Sequence, residues 1–251
     1  MRGDRGTHDQ VIADSLRPLD CMTLQEKFAA LAKDKFFGVP VEGFESGGKE
    51  QLGYLLRAGL RPSSKLVDLG CGVLRAGYWI IHFLDSGCYC GIEPHQERLQ
   101  IGIDSILEPE TIELKRPRFH SNPHFDTSVF SEKFDFFLAY SIWTHAAKMQ
   151  IQTMLDAFLR DSRDEGVFLA TYLPAGWRGR AYRGDRWYGT SHESDVPGCI
   201  RHSFRWLKSE CDRRGLAVLK LSRDETHRQS WLQIRRVGQL DREVTHLFPE
   251  L

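Results

Sequence analysis

Apolar positions along this chain fall into two alternating rhythms. Nearly unbroken apolar runs occur at Leu66–Leu69, Cys88–Ile92, Phe134–Tyr140 and Val167–Thr171, the pattern of strands buried on both faces. Arg118 and Phe119 mark a weaker strand. Between the runs the spacing lengthens to that of helices. Leu74, Tyr78 and Ile81 open one stripe, Leu99, Ile103 and Ile106 another, and Ile151, Met154, Leu155, Phe158 and Leu159 form the clearest. Strands alternating with helices predict an α/β fold, a doubly wound, mostly parallel sheet of about seven strands with helices on both faces. The pattern closes with a helix carrying Phe204, Leu207 and Cys211, capped at Gly215, and two strands at Leu216–Leu221 and Trp231–Val237.

Ahead of the first core strand, Thr23-Leu-Gln-Glu26 is a capping box, and Phe28, Leu31 and Ala32 give its helix an apolar stripe that Gly38 and Pro40 close. A second helix is expected from about Lys49 to Ala58, ended by Pro62. The organisation read from this is an N-terminal arm and helical cap over 1–60, a ligand-binding domain over 61–240 and a tail over 241–251. Residues 174–200 break the rhythm. They hold Trp177, Arg178, Arg180, Tyr182, Arg183, Arg186, Trp187, Tyr188 and His192 among glycines and prolines. Aromatic content this high argues against disorder, and a long aperiodic connection is commonly functional, so a lid-like insertion is expected there.

Composition narrows the classes. The 251 residues allow one large α/β domain with additions or two small domains, and a hydrophobic share of 41% supports a real core. Lys plus Arg and Asp plus Glu both total 34, so nothing global points to a nucleic-acid partner, which normally shows as a basic excess. The six cysteines are scattered, as reduced thiols in a cytosolic protein would be. No apolar run reaches transmembrane length, and Met1-Arg-Gly-Asp-Arg5 lacks a signal-peptide core. The expectation is a cytoplasmic protein with a small-molecule partner and no membrane contact.

The chemistry concentrates at Lys65-Leu-Val-Asp-Leu-Gly-Cys-Gly-Val-Leu-Arg-Ala-Gly77, which reads as strand, glycine turn and helix. Glycines let the backbone turn tightly and let a ligand approach it. A nicotinamide fingerprint would place a third glycine three residues after Gly72, where Arg75 stands. Asp68, two residues before the first glycine, suits a cationic ligand rather than a pyrophosphate. Glu93, at the end of the next apolar run and about 20 residues beyond Gly72, is placed to bind ribose hydroxyls.

Val67-Asp-Leu-Gly-Cys-Gly72, Glu93 and Phe134-Asp-Phe-Phe-Leu-Ala-Tyr-Ser141 together resemble the class I S-adenosylmethionine-dependent methyltransferases, over roughly residues 45–237. The family's common third glycine is Leu74 here. The resemblance implies that the sheet closes with an antiparallel strand and that S-adenosylmethionine is the cofactor. It places Asp68, Gly70, Cys71, Gly72, Arg75, Glu93, Asp126, Ala139 and Tyr140 around that cofactor, with Asp126 near the adenine; for Asp126 a turn-forming aspartate is an equal alternative. It also implies that the N-terminal helices cover the pocket, with plain packing on the sheet as the other possibility.

Methyl transfer needs donor and acceptor held in line, and a hydroxyl acceptor must lose a proton. His145, just beyond the fourth strand, is the candidate base, with substrate contact or a packing role at a helix start as alternatives. Tyr140 and Trp143 are candidate pocket walls or core aromatics. A cation at a helix start opposes the helix dipole, so Arg75 reads as a partner for the cofactor's carboxylate or as a snorkelling surface residue. Arg180, Tyr182 and Arg183 in the lid-like segment are candidate contacts for an anionic acceptor. Transfer to a small-molecule hydroxyl leads. RNA or protein methylation, or a non-catalytic cofactor-binding scaffold, are the alternatives. Neither a metal nor a protein nucleophile is required.

Overall fold

The computed structural model describes residues 22–33, 35–176, 181–190, 198–223 and 229–238. Two helices, α1 (Leu24–Leu31) and α2 (Phe44–Arg57), precede the sheet. There follow β1 (Leu66–Leu69), α3 (Arg75–Phe83), β2 (Tyr89–Ile92), α4 (Gln96–Ile101), α5 (Pro109–Lys115) and β3 (Arg118–His120). The second half runs β4 (Phe134–Ala139), α6 (Lys148–Asp161), β5 (Ser162–Tyr172), α7 (Phe204–Asp212), β6 (Leu216–Arg223) and β7 (Ser230–Arg236). The strand order is β3-β2-β1-β4-β5-β7-β6. The first five strands pair in parallel, and β7 runs antiparallel to both neighbours. The expected mostly parallel, doubly wound sheet with an antiparallel closing strand is therefore the observed one.

The unbroken apolar runs have a direct cause. Alternate side chains of a strand point to opposite faces, and here both faces are covered. Val67, Leu69, Phe137 and Phe168 pack with Met154, Leu155 and Phe158 of α6 and Leu207 of α7. Leu66, Phe136, Leu138 and Leu169 pack on the other face with Tyr54 and Leu55 of α2 and Ile80 and Ile81 of α3. A third cluster, with Phe28, Phe37 and Phe44 packed on Val73 and Ile106, docks the N-terminal helices over the turn that follows β1. Phe28 and Phe44 stack there with ring centroids 3.9 Å apart. The predicted capping box is present at α1, where Thr23 and Glu26 satisfy each other's backbone N–H groups.

Three elements differ from expectation. α2 begins at Phe44, not Lys49, and runs through Gly47 and Gly48. A Cβ on Gly48 would lie 2.3 Å from the Arg75 carbonyl oxygen, so Gly48 allows α2 to lie directly on α3. The sequence pattern does not predict α5; it has no buried residue and hence no apolar stripe to announce it. β5 pairs with β4 already at Ser162, then bulges outward before regular pairing resumes at Val167. No helix among the described residues is long and apolar enough to cross a membrane.

Candidate active site

The turn after β1 is fastened to the end of β2: the N–H groups of Gly70 and Cys71 both donate to the Ile92 carbonyl, at 2.7 and 3.1 Å. Gly70 has φ +78°, and a Cβ there would stand 2.1 Å from Ile142 Cδ1. Gly72 has φ +57°, with nothing within 4 Å of where its Cβ would be. The first glycine is required by packing. The second leaves open space against the backbone, as a closely bound ligand needs. Leu74, at the place of the absent third glycine, adopts φ +62° and ψ +35° as the N-cap of α3. Its side chain is fully buried. The left-handed backbone is thus kept without glycine, at a cost of about 1–2 kcal/mol that a buried leucine, worth about 1.5–3 kcal/mol, offsets.

Two acids face this turn. Glu93 accepts the Gly72 N–H at 3.0 Å and the His95 N–H at 2.8 Å. Each oxygen of a carboxylate accepts two hydrogen bonds, so one lone pair per oxygen remains for a ligand hydroxyl. Asp68 is buried and accepts the Tyr89 hydroxyl at 2.9 Å. Burial pushes its pKa up to about 7, with the Glu93 charge adding to the rise and the Tyr89 hydrogen bond and Arg75 opposing it. Arg75 is buried rather than snorkelling, and its guanidinium lies 5.0 Å from the Tyr140 ring centroid. Tyr140 in turn packs on Trp231, which stacks on Tyr54 of α2. That chain of aromatics braces the cavity floor against the helical cap.

β4 ends in a strained turn. Ser141 has φ +60°, held by its N–H donating to Thr171 Oγ1 at 2.7 Å, while Gln229 bridges the Thr171 and Ser141 hydroxyls. The turn carries His145 into the cavity. His145 Nδ1 lies 2.8 Å from the Tyr188 carbonyl oxygen. A carbonyl only accepts, so Nδ1 carries the proton and Nε2 of the neutral ring is the acceptor, with Cys199 Sγ 3.9 Å from it. Burial lowers the pKa of His145, and the Arg98 charge lowers it further against the Tyr188 and Gly198 carbonyls. The imidazole is therefore held neutral. Trp187 stacks on it at 5.6 Å and also on Phe125 at 6.3 Å.

One cavity joins these groups. Asp68, Gly70, Cys71, Gly72, Arg75, Glu93, Tyr140 and His145 of the sequence-derived set all line it. Others of that set lie elsewhere. Trp143 is fully buried in the core, packed edge-on to Phe168, because its side chain points to the sheet face that α6 covers. Ala139 is buried at the end of β4 and does not line the cavity. Asp126 turns away to accept the Ser128 N–H and pair with Arg160, leaving Phe125 at the cavity wall. The Tyr182 hydroxyl donates to the Arg186 carbonyl, and Arg183 is exposed; neither lines the cavity. Arg180 lies outside the described residues, as do residues 1–21 of the expected arm and cap and the tail over 241–251. Sequence reading did not assign Phe37, Gln51, Arg98, Phe125 or Thr190 to the site, and it gave Trp187 only as one aromatic of the lid-like segment; all six line the cavity. Gln51 is buried at 3% exposure on α2, and its polar character inside an apolar stripe was the one available signal.

No family model matches the sequence, and no curated protein matches it. Solved structures do. Magnesium protoporphyrin IX methyltransferase (ChlM) from Synechocystis PCC 6803, with S-adenosylmethionine bound, superposes with a TM-score of 0.56 at 11% identity, covering 93% of this chain and 92% of that one. The glycopeptide N-methyltransferase MtfA complexed with sinefungin gives 0.56 at 13% identity, over 76% and 94% of the two chains. The DhpI-SAM-HEP complex gives 0.56 at 13% identity, over 93% and 100%. The shared feature at such identities is the architecture: this chain has the fold of the class I S-adenosylmethionine-dependent methyltransferases.

Proposed function

We propose that this protein is an S-adenosylmethionine-dependent methyltransferase that acts on a hydroxyl of a small-molecule acceptor. The observation that carries this reading is the single cavity that joins the glycine turn and its two acids to a neutral histidine. The residues fit the cofactor. Gly72 leaves open space at the backbone, Glu93 has acceptor capacity for ribose hydroxyls, and Asp68 beside the turn suits an ammonium group. Arg75, buried at the cavity floor, is the partner for the methionine carboxylate. When bound, S-adenosylmethionine supplies a methyl group on an electrophilic sulfonium. Similarity to structures holding S-adenosylmethionine or sinefungin supports the same assignment.

His145 supplies the base. Its Nδ1–H is engaged by the Tyr188 carbonyl, so Nε2 accepts the proton that the acceptor hydroxyl loses as its oxygen takes the methyl group. A depressed histidine pKa keeps that lone pair free at neutral pH. Trp187, Phe125 and Phe37 wall the space beside it, where they exclude water and favour a flat acceptor. Zero formal net charge and the enclosed site favour a small molecule over RNA or protein.

Calorimetry with S-adenosylhomocysteine tests the cofactor assignment. Binding is expected, and Glu93→Ala should weaken it by about 1–3 kcal/mol, the cost of a lost charged hydrogen bond. Full affinity in that variant rejects the ribose role, and no binding to the wild type rejects the reading. For the base, His145→Gln should reduce kcat by about 10²–10⁴-fold and abolish the acid limb of the pH profile. A variant with unchanged kcat removes His145 from proton transfer.

A further inference from the structure

The cavity holds two arginines, and the proposed function uses one. Arg98 lies in the first turn of α4, half-buried, and lines the same cavity as His145 and Trp187. Burial lowers its pKa, which marks it as a cation kept from water. Charges so placed are normally paired. Among the described residues Arg98 has no such partner. Glu97, on the same helix, pairs with Lys35. Glu93 acts on Arg98 through charge but forms no ion pair with it, its two oxygens each accepting one backbone N–H. The guanidinium lies against the backbone of Gly38, where a Cβ would stand 2.9 Å from Arg98 Cζ and Nη1. The Arg98 charge also reaches the His145 ring, as the Glu93 charge reaches Arg98, so Arg98 acts on both sides of the cavity it lines. The lid-segment arginine placed to do the same work, Arg183, points to solvent.

We propose that Arg98 binds an anionic group of the acceptor, a carboxylate or phosphate, and thereby restricts the enzyme to anionic aromatic or otherwise flat small molecules. A guanidinium suits this task because its planar fork meets two oxygens of such a group at once. With the acceptor's anion on Arg98, the part of the molecule that enters between Trp187 and the glycine turn is brought to His145. The inference rests on the methyltransferase reading for what fills the rest of the cavity, namely the cofactor on Glu93 and Arg75.

The test titrates the full chain, with and without S-adenosylhomocysteine, against phenyl phosphate, benzoate and the neutral benzamide. Wild type, Arg98→Gln and Arg98→Lys are compared. The expected result is anion binding to the wild type at least tenfold tighter than benzamide, a tenfold or greater loss in Arg98→Gln, partial recovery in Arg98→Lys, and equal S-adenosylhomocysteine affinity in all three. Equal anion affinity in wild type and Arg98→Gln overturns the proposal, as does a wild type that does not prefer the anions. Loss of S-adenosylhomocysteine affinity in Arg98→Gln also overturns it, since Arg98 would then serve the cofactor. Failure of the wild type to bind S-adenosylhomocysteine strikes at the cofactor assignment instead, and the anion titrations of the ligand-free protein read Arg98 separately.

Discussion

Asp68 carries the sharpest conflict of any single residue. It is a buried carboxyl with a pKa raised to about 7 by burial, against an ordinary value near 3.9 in an unfolded chain. The folded state therefore holds its proton more tightly than the unfolded state between those two values, and stability falls as pH rises across that window. An asparagine at this position would mimic the protonated form. Relative to wild type, Asp68→Asn should gain about 2–3 kcal/mol between pH 5 and pH 8, measured by denaturant unfolding at both values. A constant difference at the two pH values would mean that Asp68 is already ionised in the ligand-free protein. The same conflict is a means of binding, since a cationic ligand group repays the desolvation of the carboxylate. That Asp68, Gly70, Gly72 and Glu93 meet at one cavity was legible in the sequence because their positions follow from spacing along one strand–turn–helix unit. Trp143 and Asp126 were not, because the direction of a side chain at a strand end depends on which face a distant helix covers. Leu74 shows a different limit: its left-handed backbone is one that a leucine seldom signals.

Among elements, the segment between β5 and α7 connects sheet and cavity most directly. Its described part is tied down at several points. The Tyr188 and His145 backbones are joined by an N–H donating to a carbonyl at 2.9 Å, Ile200 donates to Thr144 at 2.8 Å, and Tyr182 donates to Arg201 at 2.8 Å. Trp187 then lies over His145 and Phe125. These bonds place the strap at the His145 side of the cavity, where closure would exclude water. Hydrogen exchange of the Tyr182, Tyr188 and Ile200 amides should slow when S-adenosylhomocysteine and an acceptor are both bound. Protection that is the same with and without ligands would mean that the strap is permanent packing. The helices show how glycine misleads a sequence reading. Gly47 and Gly48 look like helix breakers, yet they sit inside α2, and at Gly48 the Arg75 carbonyl of α3 occupies the space of a side chain. A pair of glycines thus carries the helical cap onto the sheet and brings Gln51 to the cavity.

Across the whole molecule, the site lies where the strand order turns. From β1 the chain winds outward through β2 to β3, then returns to β4 on the other side of β1. The carboxyl ends of β1 and β4 are left side by side with their following loops diverging, and ligands of open α/β sheets bind in such a crevice. The Asp68 turn comes from one of these ends, and Tyr140, Ser141 and His145 from the other. The amino-acid sequence determined the class of fold, the positions of most strands and helices, and the glycine turn with its two acids at the cavity. These depend on hydrophobic period and on the local spacing of a strand, a glycine turn and two acids. The rest of the cavity wall was decided by the tertiary structure alone. Arg98 is at the start of a short helix, Gln51 on the helical cap, Phe125 in a loop and Trp187 in an aperiodic strap, and they meet only because the sheet brings those elements to one edge. No pattern along the chain encodes that meeting, since each residue's place at the cavity is set by the packing of an element far from it in sequence.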